Sequence, residues 1–245
     1  MVVLSRYPVD EDRVRTFRKL LWKDLPAASP PVDPETQVPW YARDVWDRLR
    51  LSSKSHWDVP VVVGHNTLHL LACHPTPPAF DGPEDRNGCR NRDEIGLLNH
   101  LISDGSAAWL RDDAGRAGGL PAGEPFVICG DMNADPFDGG SRNNPMRRLM
   151  NNPRVQEHSP SSVGGVEAAA QQGQMNVRQK GNPAFDTADF SDRSVGNLRV
   201  DYCLPSTDLR IVGSGVFWPE SSDSHAKLLQ CSDHRLVWVD LHFGE

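Results

Sequence analysis

Apolar positions along this chain recur in two rhythms. Val59 to Val63 and Leu68 to Cys73 are β-type runs on either side of Gly64-His65-Asn66, a pattern that predicts a hairpin. Phe126 to Cys129 predicts a short buried strand, and Leu198 to Leu204, Leu209 to Phe217 and Leu236 to Leu241 predict three strands that close the chain. Helical spacing occurs in three places. Val14, Phe17, Leu20 and Leu21 share a face over Glu11 to Leu21, and Trp46 and Leu49 mark Trp40 to Leu51. Ile95, Leu98, Leu101 and Ile102 predict a helix running from near Asn91 to Asp104-Gly105. Five prolines between Pro26 and Pro39, and the Pro/Gly-rich stretch after His74, predict irregular loops. Asp138 to Lys180 is polar, with a Gln/Gly-rich middle, and predicts a long excursion holding one short helix around Met146 to Met150. Strands with helices between some of them predict an α/β layered fold with the strands inside. No repeat and no shift in composition marks a boundary, so residues 1–245 are expected to form one domain.

Composition sharpens this picture in a few respects. A chain of 245 residues with 38% hydrophobic and 24% charged positions can bury a sizeable core. Glycine and proline, at 20 each, exceed ordinary usage and imply many turns. No apolar run approaches the ~18 residues a transmembrane helix needs. The N-terminus has no basic stretch followed by a long apolar one, so no secretory signal is visible and location stays undecided. A net charge of −7 argues against a broad basic surface gripping duplex nucleic acid. It leaves room for a polyanionic substrate where a metal ion supplies positive charge locally. The five cysteines are odd in number and lack a C-x-x-C spacing, which argues against both a structural zinc site and a disulfide framework.

Three polar clusters sit at predicted strand ends. Gly130 to Asp135 follows the Phe126 strand, Arg199-Val200-Asp201-Tyr202 lies within the next, and Ser232-Asp233-His234-Arg235 precedes the last. His74 directly follows Leu68 to Cys73. Each alone has an ordinary explanation, because Asp and Asn after a strand are common turn formers. Asp201 is harder to dismiss, since strands are depleted in Asp and an acid there calls for a partner such as His234. Together they describe rigid strand ends that hold reactive side chains open to solvent.

The segments GDMNADP, RVDYCL and SDHRLV, in this order, resemble the motifs of the endonuclease/exonuclease/phosphatase superfamily of metal-dependent phosphoesterases. ACHPTPP followed by RNRDEI is similar to that superfamily's His-bearing strand end and the helix after it. The resemblance implies a four-layered α/β sandwich, two packed and mainly antiparallel β-sheets flanked by helices. It implies hydrolysis of a phosphodiester or phosphomonoester with Mg²⁺, Mn²⁺ being the alternative cation. Carried over residue by residue, Asp131 orients and deprotonates the attacking water, and Asn133 holds that water or a phosphoryl oxygen. Asp233 is a Mg²⁺ ligand, with Asp131 in support. His234 donates to a non-bridging phosphate oxygen, Asp201 fixes its ring, and His74 touches the scissile phosphate. Asn91 and Arg92, near the start of the following helix, are candidates for a substrate phosphate; the alternative is a helix cap and a solvated charge. A nucleic acid, a phospholipid head group and a small phosphoester all fit as substrate, and a monomer is expected.

Two family features are missing: an initial strand bearing an Asn, and a Glu after another strand that is a principal Mg²⁺ ligand. VVLSRYPV resembles a segment that normally lies well inside the domain. The expectation is therefore an N-terminally incomplete domain, the C-terminal majority of a larger one, with reduced activity. The competing expectation is a non-catalytic fragment or pseudoenzyme that keeps the fold for binding.

Overall fold

The computed structural model describes residues 1–103 and 107–244. Among the described residues there are nine strands: β1 (Arg15–Thr16), β2 (His56–Val63), β3 (Asn66–Cys73), β4 (Phe126–Asp131), β5 (Ala188–Asp189), β6 (Asn197–Leu198), β7 (Asp201–Pro205), β8 (Leu209–Val216) and β9 (Val237–Phe243). Four α-helices accompany them: α1 (Arg43–Trp46), α2 (Arg86–Ile102), α3 (Pro145–Met150) and α4 (Val163–Gln172). The main sheet has the order β1-β2-β3-β4-β7. Only the β3–β4 pairing is parallel, and α2 lies in its crossover, as parallel neighbours require. β5–β6 and β8–β9 form separate two-stranded antiparallel sheets.

The core lies between one face of the main sheet and the helices. Leu71, Cys73, Phe126, Ile128, Tyr202 and Leu204 from the strands meet Ile95, Leu98, Leu101 and Ile102 of α2 and Met146 and Leu149 of α3. Burial of each large apolar side chain contributes about 1.5–3 kcal/mol before the entropy of ordering it. The predicted α/β layering and the β2–β3 hairpin match this arrangement. A broad second sheet is not present among the described residues, where the partner layer is the two-stranded β8–β9 ribbon.

Several local expectations change. Glu11 to Leu21 does not form an amphipathic helix; a 3₁₀ turn (Glu11–Arg13) leads into β1, which pairs with β2. The Arg15 guanidinium bonds Asp112 and the carbonyls of Gly118 and Gly119, and Phe17 N–H donates to the His56 carbonyl at 3.0 Å. Those long-range bonds outweigh an eleven-residue helix that would be marginal alone. Trp40 to Leu51 contains only the single turn α1, which lacks a side-chain cap. The α2 helix starts earlier than predicted, at Arg86, and its predicted stop at Asp104-Gly105 lies outside the described residues. Within 138–180 a second helix, α4, was not anticipated; the Ser162 hydroxyl caps it by accepting from Gly165 N–H. Leu198 to Leu204 is not one strand. The chain leaves β6 at Arg199-Val200 and re-enters the main sheet at Asp201, which is the first residue of β7.

The main chain is tightest where β4 ends. Gly130 has φ +146°, and a Cβ there would overlap the Cys73 carbonyl oxygen. Gly130→Ala is expected to destabilise the fold by more than about 2 kcal/mol in urea unfolding; a loss below about 0.5 kcal/mol would show that β3 and β4 can part without strain. A second constraint is electrostatic. Asp186 is buried, its Oδ2 has no partner, and burial together with Asp135 and Asp138 pushes its pKa from 3.8 up to about 8. The folded state thus holds a proton that the unfolded chain releases near the ordinary aspartate value of 3.8, so stability falls as pH rises from there to about 8. Asp186→Asn should therefore gain on the wild type in thermal midpoint as pH rises across that window, whereas a pH-independent difference would contradict a protonated Asp186.

Candidate active site

Four strand ends converge on one edge of the main sheet. His74 follows β3, Asp131 ends β4, Asp201 begins β7, and His234 precedes β9. The β4–β7 register sets Asp131 directly opposite Asp201. Met132 N–H donates to the Val200 carbonyl and Ser206 N–H to the Phe126 carbonyl, so the rung between them that carries the two aspartates is a non-hydrogen-bonded one. Side chains approach closely at such rungs, and two like charges there oppose each other.

The arrangement resolves that conflict with two imidazoles. His234 Nδ1 lies 2.8 Å from Asp201 Oδ2, and His74 Nε2 lies 3.3 Å from Asp131 Oδ2. Asp131 Oδ1 accepts from Asn133 N–H at 2.7 Å, and the Asn133 amide donates to Asp131 Oδ2 and to the Pro75 carbonyl, each at 3.1 Å. Asn133 sits in the left-handed region at φ +50°, a conformation its side chain tolerates. Burial pushes the Asp131 pKa up to about 6, the Asp201 charge adding to it and Asn133 N–H opposing it. The hydrogen bond that His234 donates to Asp201 raises the His234 pKa against the effect of burial. Burial, then the charge of Lys54, lowers that of His74. The site therefore pairs a proton acceptor poised near neutrality with an imidazole that stays protonated.

Neighbouring elements hold these groups in place. Within α2, the wholly buried Asn91 donates to the carbonyls of Thr76 at 2.8 Å and Met132 at 2.9 Å. One turn on, buried Glu94 accepts from Thr76 N–H at 2.5 Å and Ser53 N–H at 2.8 Å. The Tyr202 hydroxyl reaches the carbonyls of Ala134 and Arg199, both at 2.8 Å. Thr187 Oγ1 accepts from Val200 and Asp201 N–H, and the Thr187 carbonyl accepts from Arg235 N–H. Phe190 meets the His234 ring edge-on at 5.6 Å.

The structure thus brings His74, Asp131, Asn133, Asp201 and His234 together as the sequence suggested, with exposed Asp233 beside them. It does not bring Asn91 or Arg92 to the solvent side of the cluster. Asn91 is sealed and acts on the loops, and Arg92 bonds Asp93 and the Ala27 carbonyl at another cavity. Asp135 accepts from the N–H groups of Phe137 and Asp138 in the turn after β4, and Asp138 accepts from Gly181 N–H, far away in sequence. Arg199 braces no carboxylate with its guanidinium; it stacks on Tyr202 and bonds Ser159 and the His158 carbonyl. Thr187 and Lys54 lie outside the motifs read from the sequence, and Glu94 lies within RNRDEI but is not singled out there. Beside Asn133 opens a cavity of about 460 Å³ lined by Pro77, Phe80, Phe190, Leu198 and Val200. Phe80 on its rim is 89% exposed and has φ +63°, unusual for a bulky residue.

The residues do not by themselves make a closed metal centre. Among the described residues no three His, Cys, Asp or Glu side chains converge to hold an ion. Both Asp131 oxygens already face Asn133 or His74, and Asp233 adds an exposed carboxylate beside them.

No curated protein matches this sequence. An endonuclease/exonuclease/phosphatase structure from Beutenbergia cavernae DSM 12333 aligns over 98% of this chain and 46% of its own, at 18% identity and TM-score 0.52, a likeness of fold. The human nocturnin catalytic domain with bound sulfate aligns over 98% of this chain and 61% of its own, at 12% identity and TM-score 0.46. A mannosyl-6-phosphatase from Bacteroides thetaiotaomicron VPI-5482 aligns over 77% and 56%, at 14% identity and TM-score 0.41. The chain spans about half the length of solved structures it matches. The model of the Endonuclease/Exonuclease/phosphatase family, whose members are hydrolases acting on phosphoesters, matches residues 1–234, and the chain belongs to that family.

Proposed function

We propose that this chain carries the catalytic residues of a phosphoester hydrolase that cleaves a phosphodiester or phosphomonoester by in-line attack of water. The observation that carries the proposal is the pairing, on one sheet edge, of Asp131 with its raised pKa and the Asp201-supported His234. Asp131 accepts a proton from the attacking water, and Asn133 and His74 fix the orientation of its carboxylate. His234 presents its free Nε2–H to a non-bridging phosphoryl oxygen as charge builds there. His74 faces the leaving oxygen. A binding module would need none of these groups in these protonation states, which disfavours the reading of a pseudoenzyme.

Mg²⁺, or Mn²⁺ in its place, is the cation the family suggests; Asp233 and Asp131 would hold it, it would supply positive charge to the phosphoryl oxygens, and no step above is routed through it. We also propose that chain outside these residues completes a four-layered sandwich, and that the 245 residues alone turn over slowly. Support comes from the ribbon, only two strands wide, in which Val237, Val239, Leu241 and Phe243 share a face. A nucleic acid, a phospholipid head group or a small phosphoester is the substrate class, acted on by a monomer.

The direct test is hydrolysis of bis-p-nitrophenyl phosphate by the purified chain with Mg²⁺, Mn²⁺ or chelator. Asp131→Asn is expected to lower the rate by about 10²-fold or to background; an undiminished rate would remove Asp131 from the mechanism. The pH profile of kcat/KM should rise as Asp131 loses its proton near pH 6 and fall at higher pH as His234 loses its own. Asp201→Asn removes the hydrogen bond that keeps His234 protonated, so the alkaline limb should move to lower pH. An alkaline limb that stays in place would assign that limb to another group.

A further inference from the structure

Cys129 on β4 stands directly opposite Cys203 on β7, two rungs from Asp131 and Asp201 and on the same face of the sheet. The hydrogen bonds from Met132 N–H to the Val200 carbonyl and from Ser206 N–H to the Phe126 carbonyl fix the alternation of the ladder. By that alternation the cysteine rung, like the aspartate rung, is non-hydrogen-bonded. Cα atoms at such rungs lie about 4.5 Å apart, inside the roughly 4.4–6.8 Å span that a disulfide bridges. The two sulfurs are 3.9 Å apart. Both side chains are half-buried on the sheet face turned away from the α2 core, and the other contact there is a weak one from Cys203 Sγ to the Val237 carbonyl at 3.7 Å. The remaining cysteines differ: Cys73 and Cys89 are buried and Cys231 is exposed.

We propose that Cys129 and Cys203 form a covalent modification site, a preformed cross-strand thiol pair that is oxidised to a disulfide by a low-molecular-weight disulfide of the glutathione class. In the first exchange one cysteine sulfur attacks the small disulfide, forms a mixed disulfide and releases one small thiol. In the second, the facing cysteine sulfur attacks the protein-bound sulfur of that mixed disulfide, closes the Cys129–Cys203 bond and releases the second small thiol. The protein loses two hydrogens and two electrons, and the small disulfide is reduced to two thiols that carry both protons away. The bond joins positions 74 apart in sequence, so it constrains the unfolded chain strongly. It also pins β4 to β7 two rungs from the pair of aspartates. This inference stands apart from the proposed hydrolysis and is read without any activity.

The test uses the full chain with Cys231→Ser, which removes the exposed competitor. The native protein is incubated with glutathione disulfide, alkylated, and digested with trypsin without reduction. The expected result is one species linking the peptide 117–142 to the peptide 200–210, two released glutathione molecules per chain, and a higher thermal midpoint that dithiothreitol reverses. Cys129 and Cys203 recovered as free thiols, or as stable glutathione adducts with no link between them, would overturn the proposal. In the added variant Cys203→Ser, Cys129 should yield no cross-linked peptide; linkage of Cys129 to Cys73 or Cys89 would show that the pair is not preformed and would likewise overturn it.

Discussion

Two polar side chains at the sealed centre of α2 carry the geometry of the whole site. Asn91 and Glu94 are fully buried, and they spend their hydrogen bonds on the backbone just past two strand ends. Helix α2 would gain more apolar contact with aliphatic residues there, but the carbonyls of Thr76 and Met132 and the N–H groups of Thr76 and Ser53 would then lack partners. Unmet groups of that kind cost about 1–3 kcal/mol each. The bonds therefore act in both directions: the helix satisfies the loops, and the loops fix the helix over the sheet. His74 and Asp131 sit on the segments so held, and their 3.3 Å contact follows from that fixation.

Across the sheet the decisive constraint is register. Placing Asp131 opposite Asp201 brings two carboxylates together at the rung where side chains crowd most. A one-residue slip would turn both to the opposite face, against the apolar core. The proximity divides their roles. Asp201 accepts a hydrogen bond from His234, whereas burial raises the Asp131 pKa to about 6. The same β-pairing that stabilises the fold therefore sets the protonation states of the candidate site.

Much of this was legible in the sequence because strand ends punctuated by Asp, Asn and His leave a pattern. The hairpin of β2 and β3, the strand before Asp131, and the Asp201–His234 partnership follow from apolar runs and from the oddness of an acid beside a strand. The failures share one cause. Glu11 to Leu21 has helical spacing, but Arg15 and Phe17 are claimed by partners far away in sequence. Asn91 resembles a helix-start residue facing solvent, and only the tertiary fold shows that loops cover it. The break at Arg199-Val200 is invisible locally, because β6 and β7 belong to different sheets and the apolar run is continuous through the bend.

The small β5–β6 hairpin separates two tasks by where it is anchored. Its base is bound to the site: Ala188 bridges to His234, Asp189 N–H donates to the Asp233 carbonyl, and the Asp189 carboxylate holds Arg235. Its tip, with Ser191, Ser194 and Val195, borders the apolar cavity beside Asn133 and lies away from the aspartate rung. Sequence drift at the tip can thus reshape what the cavity admits while the imidazole keeps its place. Drift at the base moves the imidazole itself. The hairpin thus joins two parts of the fold, its base fixing the strand end that carries His234 and its tip closing one side of the apolar cavity.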